Sequence, residues 1–352
     1  MEPDIGLLEE LVRIPSVTAD ASAVCRAEER MEAYLREGGL HCVVETIGDR
    51  KVLFASTTEG KTPDVLLNAH LDVVPAAPSL FEPVRRDGLV FGRGTCDCKG
   101  SAVAIAQTLR ASVGHASVGA IFTADEESGG DTTAGMVARG YGAKKAIIVI
   151  DGNFLALSNA QKGILDLALV ATGRAGHSSE PWNCDNAFDR LADGYARLRA
   201  AWPAWTDDRW CDTLAATIVS AGSAHNLIPG RAEMLLNIRF TKPGDEDRIE
   251  AFVRETTGLE TVRKGLSHPF FFDASHPTLR ALFDAMSREW PSAKIELLRM
   301  CGATDARHFA TLGVPIAILG VRGGNWHMDD EWVDPLSIGE TADMLCSFLA
   351  SI

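Results

Sequence analysis

The chain has 352 residues, 46% of them hydrophobic, and sets 34 Lys and Arg against 48 Asp and Glu for a formal net charge of −14. That length can bury a sizeable core and has room for two domains, while the acidic balance excludes a nucleic-acid-binding surface, which needs clustered Lys and Arg. No apolar run approaches the roughly 20 residues that cross a bilayer, and the opening residues lack a basic stretch followed by an apolar core. The eight cysteines are scattered except for Cys96 and Cys98, so reduced thiols and a cytoplasmic protein with no membrane partner are expected.

Residues 4–13 and 21–37 carry apolar side chains at helical spacing (Leu7, Leu8, Leu11; Val24, Met31, Leu35), and the glycines at 38 and 39 supply a stop. Short β-rich runs follow at HCVVETI, KVLFAS, DVLLNAH, VGAIFTAD and AIIVID, with the Ala-rich helical stretch KGSAVAIAQTLRAS between the third and fourth. This alternation predicts an α/β sheet. From about residue 164 the pattern changes: ILDLALVATG and RAEMLLNIRF have strand period two, and 185–200 and 245–254 have helical spacing. A separate α+β domain over 164–272 is therefore expected, inserted into an α/β domain formed by 1–163 and 273–352. GVPIAILG and a helix from about 337 would complete the first domain.

Four stretches carry candidate chemistry: HLDVVP (70–75), GRGTCDCKG (92–100), DEESGG (125–130) and HMDDEWV (327–333). Three of the predicted strands end on a potential metal ligand, namely His70, the 125–127 carboxylates and Asp151, where α/β sheets place their sites. Any one of these residues alone would read as a loop or core residue. Together they make a histidine and carboxylate set suited to Zn²⁺, with Co²⁺ or Mn²⁺ as substitutes. GRGTCDCKG is also a near miss to the dinucleotide fingerprint, but it lacks the third glycine and follows no clear strand, which rejects an oxidoreductase.

On these ordered motifs the chain resembles, nearly end to end, the M20 family of metallopeptidases and deacylases, especially its acetylornithine deacetylase and succinyl-diaminopimelate desuccinylase branch. The resemblance implies a mixed-sheet zinc-hydrolase domain with an inserted ferredoxin-like α+β domain serving as lid and dimerisation element. It implies that His70 and Asp151 bind one metal, that Glu127 and His327 bind another, and that Asp97 bridges the two. Asp72 would orient His70, and Glu126 would be the general base. Adjacent side chains at a strand end point in different directions, so Glu127 can face a metal while Glu126 faces the attacking water. GRAGHSS resembles the stretch whose histidine, here His177, reaches the partner subunit's site in a homodimer and stabilises the oxyanion. AHNLIPG, NIRF and CGATDARHFA resemble family stretches that would bring Asn226, Arg239, Thr304 and Arg307 to the substrate.

The resemblance also makes the Asp97–Cys98 peptide cis. Cys96 and Cys98 flank Asp97 and, in an extended segment, would project away from the face it uses. The implied activity is removal of the acyl group from an N-acyl amino acid by two zinc ions. Asp151 stands where the family's deacylases usually carry Glu and some of its dipeptidases carry Asp, so a metallo-dipeptidase or carboxypeptidase is the alternative. Gln161 replaces an arginine that helps the desuccinylase bind substrate, leaving Lys162 as the nearest cation. A non-catalytic metal-binding interaction protein is the alternative of another class, and the presence of Glu126 beside Glu127 speaks against it.

Overall fold

Four apolar runs, Val65–His70, Val118–Thr123, Ala146–Ile150 and Ile316–Leu319, form strands buried at every position. Val65–His70 pairs in parallel with both Val118–Thr123 and Ala146–Ile150, and Ile316–Leu319 continues in parallel beside Ala146–Ile150. Continuous apolar strands of this kind are buried on both faces of a sheet. The computed structural model describes residues 1–352 apart from Thr206, and the described chain divides into two units. These strands are the centre of the first unit, Met1–Ala160, Phe271–Arg299 and Thr304–Ile352. The hairpin of His41–Ile47 and Arg50–Ser56 adds antiparallel strands at one side, and Ala156–Gln161 adds another at the far side, so the sheet is mixed.

Helices Ile5–Arg13, Ala21–Glu37, Gly100–Ala111, Pro277–Glu289 and Pro335–Leu349 belong to this unit. Their apolar stripes (Leu8, Leu11, Met31, Ile105, Leu109, Leu282, Met286, Leu345) share one core with Leu67, Phe122 and Ile148 of the sheet. Each such side chain contributes about 1.5–3 kcal/mol on full burial. Asp4, Asp20 and Asp334 accept amide hydrogen bonds at the first turns of three of these helices, which satisfies donors the helix itself cannot.

The second unit, Gln161–Phe270 with Met300–Ala303, runs strand Gly163–Thr172, helix Ala187–Ala201, strands Thr213–Ala221 and Arg231–Phe240, helix Glu246–Thr257 and strand Glu260–Ser267. The four strands form an antiparallel sheet with Thr213–Ala221 at one edge, then Arg231–Phe240, Gly163–Thr172 and Glu260–Ser267. This βαββαβ arrangement is ferredoxin-like. Period two fixes the buried face: Ala232, Met234, Leu236, Ile238 and Phe240 share a core with Leu191, Leu198, Ile249 and Val253 of the helices. The second helix runs three residues beyond the expected 254, to Thr257, and stops at Gly258, whose φ of +64° suits a glycine after a helix end.

One residue of Ala21–Glu37 breaks the apolar pattern. Glu28 is 2% exposed, and neither carboxyl oxygen completes a hydrogen bond among the described residues. Burial first, and then the Asp72 charge, pushes its carboxyl well above the usual range, although the nearby Leu53 amide favours the charged form. The unfolded chain ionises this group near about 4.3. The stability it contributes is therefore full below that pH and is lost as the pH rises toward the folded value. Glu28→Met is expected to stabilise the protein by about 1–3 kcal/mol near pH 7, with a smaller gain near pH 4; thermal unfolding at both pH values checks this.

Candidate active site

Neighbouring parallel strands deliver titratable side chains to one end of the sheet, as the crevice rule for α/β folds requires. His70 is the last residue of Val65–His70, the turn Glu126–Ser128 follows Val118–Thr123, and Asp151 follows Ala146–Ile150. Asp97 comes from the tight turn Thr95–Lys99 that feeds helix Gly100–Ala111. Gly94 enters that turn at φ +79°, and a Cβ there would meet Val73 Cγ1 at 2.6 Å, so only glycine fits. His327 itself has φ +64°, a left-handed conformation that is rare for a residue with a side chain and clusters at functional sites. Asp125 serves the fold instead, accepting from the Thr132 amide at 3.1 Å in the first turn of Asp131–Ala138.

Asp97 lies between two histidines. Its Oδ1 is 3.0 Å from His70 Nε2 and its Oδ2 is 3.0 Å from His327 Nε2. His327 Nε2 is also 3.2 Å from Glu127 Oε1, and the donor atoms of His70, Asp97 and Glu127 all fall within 4.8 Å of one another. His70 Nδ1 sits 2.9 Å from the Asp72 carbonyl oxygen. A carbonyl only accepts, so Nδ1 carries a proton; Nε2 faces the Asp97 carboxylate as a donor and is the nitrogen that can hold a metal ion once its own proton is lost. The Asp72 carboxylate accepts from the Thr18 hydroxyl at 2.7 Å and from the amides of Glu126 at 3.2 Å and Glu127 at 3.3 Å. A single residue thereby orients His70 and the glutamate turn.

The electrostatics follow from crowding acids at one buried point. Burial, then the Asp151 charge, pushes Glu126 up to about 9; burial, then Asp97, pushes Asp151 up to about 7. Burial also raises Glu127. For Asp97 burial acts upward too, but hydrogen bonds from His327 and His70 outweigh it and hold the carboxyl well below the usual range. The hydrogen bond to Asp97 lifts His327 to about 9. Four carboxyl groups and two imidazoles on one spot are short of positive charge, which divalent cations supply. The donor set fits such ions: nitrogen and oxygen atoms converge, and one carboxylate offers a separate oxygen to each side.

Thr304 and Arg307 lie in the same unit. Arg307 is 8% exposed; its guanidinium donates to the Gly129 carbonyl at 2.6 Å and stands 3.9 Å from Glu126 Oε1. Thr304 Oγ1 accepts from the Ala306 amide at 3.2 Å.

Two residues of the site escaped the sequence reading. Glu331, 1% exposed, accepts from Arg93 at 2.7 Å, from the Gly94 amide at 3.0 Å, and from the amides of Cys96 at 3.0 Å and Asp97 at 3.1 Å. Arg93 in turn donates to the His327 carbonyl at 3.0 Å. This buried pair ties the Asp97 turn to the His327 loop. Its only signal in the sequence was a third acid in HMDDEWV, with nothing to distinguish it from Asp329 and Asp330. Glu331→Ala leaves Arg93 charged and buried, so a loss of about 3–5 kcal/mol is expected in denaturant unfolding.

The cysteines correct one expectation. The Cys96 sulfur accepts from Trp326 Nε1 at 3.0 Å, although the residue lines a small cavity with Asp97 and Asp151. Cys98 does not project away from the site: its sulfur lies within 4.8 Å of donor atoms of His70 and Asp151. The segment 95–99 is a tight turn rather than an extended strand, so alternate residues do not point to opposite faces. The Asp97–Cys98 peptide is cis, as the resemblance implied.

His177, Asn226 and Arg239 belong to the second unit. His177 is exposed in a short pairing of Gly176–His177 with Leu227–Ile228. Its Nδ1 accepts from the Ser179 amide at 3.2 Å, which leaves the proton on Nε2. Asn226 is exposed, and its carbonyl accepts from the Ser178 amide at 3.0 Å. Arg239 donates to Asn237 at 3.0 Å and lines a cavity of about 850 Å³ with Lys162, Arg209 and Cys301. Lys162 is buried, its ammonium donating to the carbonyls of Arg209 and Cys211 at 2.8 Å each.

Fold and site define a metal-dependent hydrolase of amide bonds. Residues 66–351 match the model of peptidase family M20/M25/M40, and the chain belongs to that family. It is 30% identical to a succinyl-diaminopimelate desuccinylase of Stenotrophomonas maltophilia, with 94% of each chain covered. A tripeptidase from Staphylococcus aureus superposes with a TM-score of 0.81 at 17% identity, covering 99% of this chain and 97% of that one. A metallo-carboxypeptidase of the M20 family from Sulfolobus solfataricus gives a TM-score of 0.81 at 16% identity, covering 99% of both.

Proposed function

We propose that the protein removes the acyl group from an N-acyl amino acid with two zinc ions, acting as a cytoplasmic homodimer. The observation that carries this reading is the Asp97 carboxylate, with one oxygen 3.0 Å from each of two histidines. His70 and Asp151 would hold one ion, Glu127 and His327 the other, with Asp97 between them. Bound there, two divalent ions would polarise the substrate carbonyl and lower the pKa of the attacking water. Glu126 takes a proton from that water on a carboxylate oxygen and passes it to the departing amine nitrogen. Asp72 keeps His70 and the glutamate turn in register. Asn226 and Arg239 would contact the substrate, and so would Thr304 and Arg307. Eight unpaired cysteines accord with a reducing compartment.

The desuccinylase relative supports the deacylase reading. Lys162, spent on two backbone carbonyls, does not replace the arginine missing at Gln161, which speaks for a short uncharged acyl group. A second reading, dipeptidase or carboxypeptidase, is favoured by Asp151. A hydrolysis screen with Zn²⁺ or Co²⁺ decides: N-acetyl or N-succinyl amino acids should be cleaved faster than dipeptides. Cleavage of dipeptides alone would establish the second reading, and no cleavage by a protein that holds both ions would leave a metal-binding interaction protein.

The homodimer rests on the edge strand Thr213–Ala221, where Ile218 is 61% and Val219 51% exposed. An unpaired apolar edge is a template for its own copy about a two-fold axis. His177, with its proton on Nε2, would donate to the oxyanion in the partner's site. His177→Ala is expected to lower turnover by about 10² to 10³. Mixing it with inactive Glu126→Gln should restore activity through heterodimers; heterodimers that form and stay inactive would refute the role in trans.

A further inference from the structure

Cys98 is fully buried, and its sulfur, a His70 nitrogen and an Asp151 oxygen all lie within 4.8 Å of one another. Ligands of a tetrahedral zinc stand about 3.3–3.8 Å apart, given bonds near 2.0–2.3 Å. The trio therefore needs to close by only about an ångström to share an ion. The other neighbour of the sulfur is the Ile150 carbonyl at 3.5 Å, a weak thiol contact that a metal bond outcompetes. Among the described residues no hydrogen bond and no salt bridge engages the Asp151 carboxylate. A sulfur packed only for its volume needs neither of these neighbours.

We propose that Cys98 is a ligand of the ion held by His70 and Asp151, which makes that position a nitrogen, oxygen and sulfur site. The proposal rests on the metal centre of the preceding section and adds a ligand that centre did not include. On binding, the sulfur–metal bond replaces the S–H bond and the proton leaves to solvent. A soft donor favours zinc or cobalt over manganese. The two positions would thus differ in selectivity, because Glu127 and His327 offer only oxygen and nitrogen.

X-ray absorption at the zinc edge tests this on the zinc-loaded full chain. Wild type and Cys96→Ser should show a sulfur shell near about 2.3 Å. Cys98→Ser and Cys98→Ala should show only nitrogen and oxygen neighbours, with zinc affinity at that position lowered by about 10-fold or more. In the cobalt-loaded wild type a near-ultraviolet thiolate-to-cobalt charge-transfer band should appear, and it should vanish in both Cys98 variants. Zinc-loaded wild type without a sulfur shell overturns the proposal and leaves the two-metal reading intact. A sulfur shell that persists in either Cys98 variant overturns it too. A chain that takes up no metal removes both.

Discussion

Exhaustive chelation is expected to abolish amide hydrolysis, and Zn²⁺ or Co²⁺ is expected to restore it. In this site no protein side chain supplies what the ions supply. His70 and His327 both turn Nε2 toward Asp97, and Glu126, as the proposed base, would have nothing to deprotonate unless the pKa of water is lowered. Removal also leaves four crowded carboxyl groups without a counter-ion, three of them held above their usual range by burial, so the metal-free protein should unfold at lower temperature. An ion present at about 100 times its dissociation constant stabilises the fold by about 2.7 kcal/mol. Turnover, metal content and thermal unfolding, measured before and after chelation, check both expectations. Full turnover in verified metal-free protein would falsify the mechanism.

Glu126→Gln and Glu127→Gln are expected to fail in different ways although the residues are adjacent. Glu126 stands outside the run of contacts from His70 through Asp97 and His327 to Glu127, and its charged neighbour there is Arg307 at 3.9 Å. Its amide variant should keep both ions and lose turnover by about 10² to 10⁴, the range for a removed general base. Glu127 is 3.2 Å from His327 Nε2, so its amide variant should release the ion at that position. Metal counted per chain beside kcat separates the two, and equal metal loss in both would mean that the glutamate roles are misassigned.

Much of the architecture was legible because its strands announce themselves. VLLNAH, VGAIFT and AIIVI are short apolar runs that stop at a polar residue, and a buried strand must stop where its side chains become functional or solvated. The strand-end positions of His70 and Asp151 follow directly. RAEMLLNIRF alternates at every position but Leu235, and its buried face in the structure is the one period two dictates. What escaped lay in turns. An extended 95–99 would have turned Cys98 away from His70, but a tight turn has no period to extrapolate. Glu331 and Arg93 lie far apart in the chain and meet only in the fold, so neither carried a local signal. Glu28 stands beside Glu29 and Arg30 in the sequence with nothing to set it apart, and only packing reveals that it is enclosed.

The most direct test of the proposed two-metal centre is a crystal structure of the zinc-loaded protein with anomalous difference maps at the zinc edge. Two peaks about 3.5–4 Å apart are expected, with one Asp97 oxygen on each. His70 and Asp151 should lie on the first and Glu127 and His327 on the second, at about 2.0–2.2 Å. A single peak, or two peaks without Asp97 between them, would contradict the account.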